Sequence, residues 1–133
     1  MDVQAVSHDF VQDYNNKFNN PDARSSMDSL YHPESMLIWD GIQHQGTHEI
    51  ISALTGPNMR TVKTHITSVD ATPSTNHGVL VVVTGNLTVS DMSQIDDGPG
   101  KPLTYSATFS LQPIPELKGG FFIHSQIFRA VRS

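Results

Sequence analysis

Seven histidines and no cysteine set the chemistry open to this chain of 133 residues. A thiol nucleophile, a disulfide scaffold and a cysteine-ligated zinc site are excluded. A histidine metal site needs imidazoles that converge, and the spacing offers none. His44 and His48 stand four apart, but Gly46 and the Thr47 cap fall between them, so helical spacing does not apply. His-x-His and His-Glu-x-x-His patterns do not occur. No metal and no cofactor are expected. Acid–base catalysis is the next chemistry to weigh, with Tyr14, Asp40, His65, Asp70 and His124 as groups that could line an apolar cavity. A catalytic dyad needs hydrogen-bond reach and environments that separate the two pKa values. Their spacing establishes neither condition, so the chain is expected not to be an enzyme. A cavity isomerase or dehydratase stays as the remote alternative. Gly98-Pro99-Gly100 lacks the strand–helix context of a phosphate cradle. Trp39, beside Asp40, reads as core with one exposed edge, or as a hot spot for an aromatic peptide side chain.

The elements that must position these groups follow from periodicity. Val3, Val6, Phe10, Val11, Tyr14 and Phe18 form one helical stripe. Asn20-Pro21 caps and starts a second helix carrying Met27, Leu30 and Tyr31 inward, ended by Pro33. The period then changes: Ser35 to Trp39 is a short strand, Asp40-Gly41 a hairpin turn, and Ile42 to Gln45 the returning strand. Thr47 caps a third helix with Ile50, Ile51 and Leu54 on one side, stopped by Gly56-Pro57. Four long strands follow, and Gly85 marks a bulge or bend in the second of them. Helices before strands make an α+β plan. The expected architecture is one domain over residues 1–133: a cone with a curved antiparallel sheet covered by three helices.

The faces of that sheet carry a functional signal. Leu103, Tyr105, Ala107, Phe109 and Leu111 alternate with Thr104, Ser106, Thr108 and Ser110, four hydroxyls without a Lys or Glu among them. Solvated strands usually carry long charged side chains. In the last strand Phe121, Ile123 and Ile127 fall on one parity, and Phe122, His124, Gln126, Phe128 and Ala130 on the other. Large apolar side chains on both faces point to a sheet-to-sheet partner. Only 16 % of residues are charged, thin cover for a single small domain and consistent with half of a dimer.

The formal charge of −5 argues against direct nucleic-acid binding. The longest apolar run, Val79 to Val83, covers about a quarter of a membrane span, so no membrane partner is expected. The acidic start Met1-Asp2-Val3-Gln4 does not read as a signal peptide, which predicts an intracellular protein.

Leu30-Tyr31-His32-Pro33-Glu34-Ser35-Met36-Leu37-Ile38-Trp39-Asp40-Gly41, followed by Gln45-Gly46, resembles the nuclear transport factor 2 family. So do His65-Ile66-Thr67, Leu80 to Val83 with Thr84-Gly85, and Ile127-Phe128-Arg129; the resemblance runs from Phe10 to Arg129. It implies the cone fold and one of two nuclear roles. One branch is a homodimeric import carrier for Ran-GDP that also binds FG-repeat nucleoporins. The other is the small subunit of the mRNA export receptor, paired with a larger TAP/NXF-type subunit. Tyr14-Asn15 stands where the carrier has Tyr-Tyr, Leu54 to Met59 departs from its Ser-Leu-Pro-Phe stretch, and the ending from Phe122 to Arg129 looks more like export subunits. Gln43 to Gly46 and His65 to Thr67 look more like the carrier. The expectation is therefore the export subunit, with the Ran-GDP carrier as alternative, shuttling between nucleus, nuclear envelope pore and cytoplasm. The strand faces make Thr104, Ser106, Thr108, Ser110, Phe122, His124, Gln126 and Phe128 the expected partner interface, and the resemblance adds Asp70. It also makes Trp39, Asp40 and Asp91 contacts for Ran or FG repeats.

Overall fold

The computed structural model describes residues 2–89, 103–115 and 120–131. The apolar stripe forms α1 (Val3–Phe18), started by the Asp2 carboxylate, which accepts from the Ala5 amide at 3.1 Å. Its buried face is Ser7, Val11, Tyr14 and Phe18. The second helix is a 3-10 helix over Pro21–Leu30, and Tyr31 is the first residue of β1 (Tyr31–Trp39), not the end of that helix. Pro21, Asp22, Ser25, Ser26 and Ser29 are poor α-helix formers whose side chains compete for backbone groups, which favours the short, tight winding. Asp40 (φ 51°) and Gly41 (φ 93°) make the expected two-residue turn into β2 (Ile42–Gln45). Helix α2 (Thr47–Leu54) begins at Gly46 as its cap. Strands β3 (Val62–Pro73), β4 (Val79–Val89), β5 (Leu103–Pro113) and β6 (Phe121–Val131) follow.

The strand order is β2-β1-β6-β5-β4-β3. The sheet is mixed, not antiparallel throughout, because β1 runs parallel to β6. Helix α2 carries the chain back before β3 begins, so β3 points the same way as β2 and the four-strand meander ends parallel to β1. The register shifts in β1 between Tyr31 and Met36, and two single-residue bulges bend the later strands. Thr67 is the extra residue of β3 between Ile66 and Ser68, opposite Gly85, where a Cβ would collide with the His65 carbonyl oxygen and the Tyr105 ring. His124 is the extra residue of β6, where the register shifts between Ser110 and Leu111.

Arg24, on the 3-10 helix, is 1 % exposed. It donates to the carbonyls of Phe18 (2.6 Å), Leu54 (3.1 Å), Met59 (2.5 Å) and Val62 (2.7 Å). Phe18 and Leu54 are the last residues of α1 and α2. The guanidinium thus sits at the negative ends of two helices and satisfies carbonyls that have no intrahelical partner.

Helix α1 also covers the free edge of β3. The Gln4 amide donates to the Val69 carbonyl (2.7 Å) and accepts from the Ala71 amide (3.2 Å). The Asn19 amide donates to the Thr64 carbonyl (2.7 Å) and accepts from the Thr64 amide (2.9 Å). Each side chain imitates a neighbouring strand. Among the described residues, no helix is long and apolar enough to cross a membrane.

Candidate interaction site

On the concave face an aromatic column runs from the sheet to the helices. Tyr105 stacks on Phe128 (centroids 5.3 Å), Phe128 on Trp39 (3.8 Å, planes within 5°) and Trp39 on Phe18 (5.7 Å). The Arg24 guanidinium caps the column 4.0 Å from the Phe18 centroid. Trp39 is half-buried, so its exposed edge forms part of the rim of the cone. Asp40 lies beside it in the turn. Its amide donates to the Phe128 carbonyl (2.8 Å), and its carboxylate accepts from the Ala130 amide (3.2 Å), with Arg129 Nη1 3.9 Å away.

Below the rim, the Tyr31 hydroxyl donates to Gln126 Oε1 and Gln126 Nε2 donates to the Tyr14 hydroxyl, both at 2.7 Å. Burial pushes the Tyr14 and Tyr31 phenols up from their ordinary value, and burial also raises Tyr105. These are all three tyrosines of the chain. A phenol whose pKa rises on folding adds stability that is fully present below the unfolded value of about 10 and is lost as pH climbs through the folded value. We expect tyrosinate absorbance near ~295 nm to lag behind free tyrosine and then rise in one step together with loss of tertiary structure. A native protein that shows a phenol titrating at its ordinary value would contradict this packing.

The cavity among Tyr14, Phe18, Trp39, Tyr105, Gln126 and Phe128 is about 20 Å³, room for about one water molecule. The acid–base candidates are dispersed around it. Tyr14 is inside, Asp40 sits at the rim, and His65, Asp70 and His124 are exposed on strands. Among the described residues no three His, Cys, Asp or Glu side chains converge.

Two expected interface residues are corrected. Gln126 (2 % exposed) and Phe128 (3 %) lie in the core. The bulge at His124 reverses the alternation of β6, turning Gln126 and Phe128 inward and Ile127 outward. Phe122 remains on the outer side, against His32 (ring centroids 5.3 Å), and His124 is exposed at the bulge itself. Asp91 lies outside the described residues.

The outer face otherwise collects one surface. Across the strands, Asp70, Val82, Thr108, Ile127 and Ile38 form a row, with Leu80, Ser110 and Ser125 in the next. Ser106 and Thr104 extend it along β5. Leu80, Val82 and Ile127 are 37 %, 36 % and 49 % exposed, and the two central rows carry no charged residue between their ends; Asp70 stands at the margin on the edge strand, and Arg129 lies beside Ser106. The outward aliphatic residues of β4 and the buried Arg24 were not singled out from the sequence. The unbroken Val79 to Val83 run is the signal for the first; Arg24 has none.

The nuclear transport factor 2 domain family matches residues 6–130. Nuclear transport factor 2B of Arabidopsis thaliana is 36 % identical over 130 residues, covering 97 % of this chain and 94 % of that one. Nuclear transport factor 2 of Emericella nidulans is 33 % identical, covering 98 % and 96 %. The solved structure of nuclear transport factor 2 from Cryptosporidium parvum superposes with a TM-score of 0.81 at 35 % identity, covering 96 % of this chain and 93 % of that one. These relatives overturn the expected export subunit, since each bears the name of the transport factor and not of a TAP/NXF partner. In length, fold and sequence alike, the chain belongs to the nuclear transport factor 2 family.

Proposed function

We propose that this protein is a non-catalytic, homodimeric nuclear import carrier for Ran-GDP that crosses nuclear pores by contacts with FG-repeat nucleoporins and shuttles between cytoplasm and nucleus. The observation that carries the reading is the centre of the outer sheet face, uncharged across Leu80, Val82, Thr108, Ser110 and Ile127 and flanked by Asp70 and Arg129, which suits a second copy of the same chain. Thr104, Ser106, Thr108 and Ser110 keep that surface flat, and Leu80, Val82 and Ile127 supply its apolar area. Asp70, Phe122 and His124 belong to its margin. Kinship with transport factors supports the cargo, and an interior with room for about one water supports binding in place of catalysis.

In this reading Trp39 and Asp40 form the rim that meets Ran or FG repeats. Asparagine tolerates the left-handed conformation at position 40 and retains an acceptor for the Ala130 amide, so Asp40→Asn removes charge with little change of shape. Titration calorimetry with Ran-GDP is expected to show binding by the wild type and about tenfold weaker binding by Asp40→Asn. A wild-type chain that does not retain Ran-GDP would overturn the proposal.

A further inference from the structure

The two edges of the sheet are treated in opposite ways. On β3 the Gln4 and Asn19 amides occupy backbone groups that another strand would use. On β2 the sequence is Ile42-Gln43-His44-Gln45, without the lysine, proline or bulge that usually protects an edge.

The hairpin geometry says which groups are open. Trp39 and Ile42 flank a two-residue turn and so form a hydrogen-bonded pair; alternation makes Leu37–His44 and Ser35–Gly46 the next two. The Gly46 amide accordingly donates to the Ser35 carbonyl at 2.8 Å. The amide and carbonyl of Gln43, and the carbonyl of Gln45, therefore point away from β1. The Gln45 amide is occupied by Glu49 Oε2 at 3.2 Å. Beside this ladder the Ile42 side chain is 64 % exposed, on the same face as its partner Trp39. Glu34 and Glu49 are exposed near the far end of β2, and Asp40, beside Arg129, stands at the near end.

We infer that β2 is a strand-addition site for an extended peptide of a partner protein, with a β-branched residue set against Ile42 and basic residues at its ends. The peptide exchanges two hydrogen bonds with Gln43 and donates a third to the Gln45 carbonyl, while its cations meet Glu34 and Glu49 at the far end and Asp40 at the near end.

The test uses the full chain and a capped heptapeptide, Lys-Val-Thr-Val-Thr-Val-Lys, followed by NMR titration and amide exchange. Binding is expected to slow exchange of the Gln43 amide about tenfold or more. Gln43→Pro removes that donor without breaking the β1–β2 ladder, because the lost N–H faces outward. It is expected to weaken the peptide about tenfold. Ile42→Lys, which removes the apolar contact and repels the peptide, is expected to do the same and serves if Gln43→Pro fails to fold. Unchanged exchange at Gln43, protection that falls on β3 instead, or wild-type affinity in both variants would overturn the inference. So would protection of Gln43 that grows with protein concentration alone, which marks edge pairing between two copies.

Discussion

Arg24→Met is expected to lower the unfolding free energy by about 3–5 kcal/mol in urea denaturation, a large share of the roughly 5–15 kcal/mol that holds an ordinary domain folded. A buried ion pair can often be exchanged for apolar side chains without loss, because both polar partners leave together. That escape is closed here. The partners of Arg24 are backbone carbonyls of Phe18, Leu54, Met59 and Val62, which no substitution removes. Methionine fills much of the volume and leaves those oxygens desolvated, at about 1–3 kcal/mol for each that finds no water. Arg24→Lys keeps the charge but not the planar fork that reaches the ends of both helices, so it is expected to recover only part of the loss. Trp39 reports the change directly, since it stacks on Phe18 and Phe18 lies under the guanidinium. A loss below about 1 kcal/mol in Arg24→Met would show that the four contacts are replaceable.

Arg24 also shows where sequence reading stops. Its neighbours Asp22, Ala23, Ser25 and Ser26 are small or polar residues at the start of the expected second helix, and nothing local reveals that two helix ends converge on position 24. Other features were legible because their cause is local. The α1 stripe, the left-handed Asp40-Gly41 turn and the alternation of β5 each depend on residues a few positions apart. Gly85 was legible as a bend, although the residue that bulges is Thr67 on the neighbouring strand.

The last strand failed for a different reason. A β-bulge carries no residue signature when the extra residue is not glycine, and a single extra residue exchanges the two faces of everything beyond it. His124 is that residue, and it places Phe128 in the aromatic column and Gln126 between Tyr14 and Tyr31. The apparent surplus of apolar side chains on both faces of β6 is therefore partly the core seen through the wrong register. The argument for a partner on the sheet now stands on Leu80, Val82 and Ile127 and on the hydroxyl face of β5.

On that argument Thr108→Lys is expected to convert the proposed dimer to a monomer. Thr108 lies at the middle of the row Asp70, Val82, Thr108, Ile127 and Ile38, and its side chain points out of the sheet. A two-fold interface uses the same patch twice, so one substitution brings two ammonium groups into it. An uncompensated buried charge costs about 3–5 kcal/mol, so even one of the two weakens dimerisation by about 150- to 5,000-fold before mutual repulsion is added. The monomer fold is not touched, because position 108 faces away from the core and lysine is tolerated on a solvated strand. Light scattering should give twice the 14.6 kDa chain mass for the wild type and the chain mass itself for Thr108→Lys at micromolar concentration. Thr104→Lys, at the exposed end of the same strand, should weaken the dimer far less. Equal dimerisation by all three proteins would move the interface off this face, and a monomeric wild type would remove the homodimer from the proposed carrier.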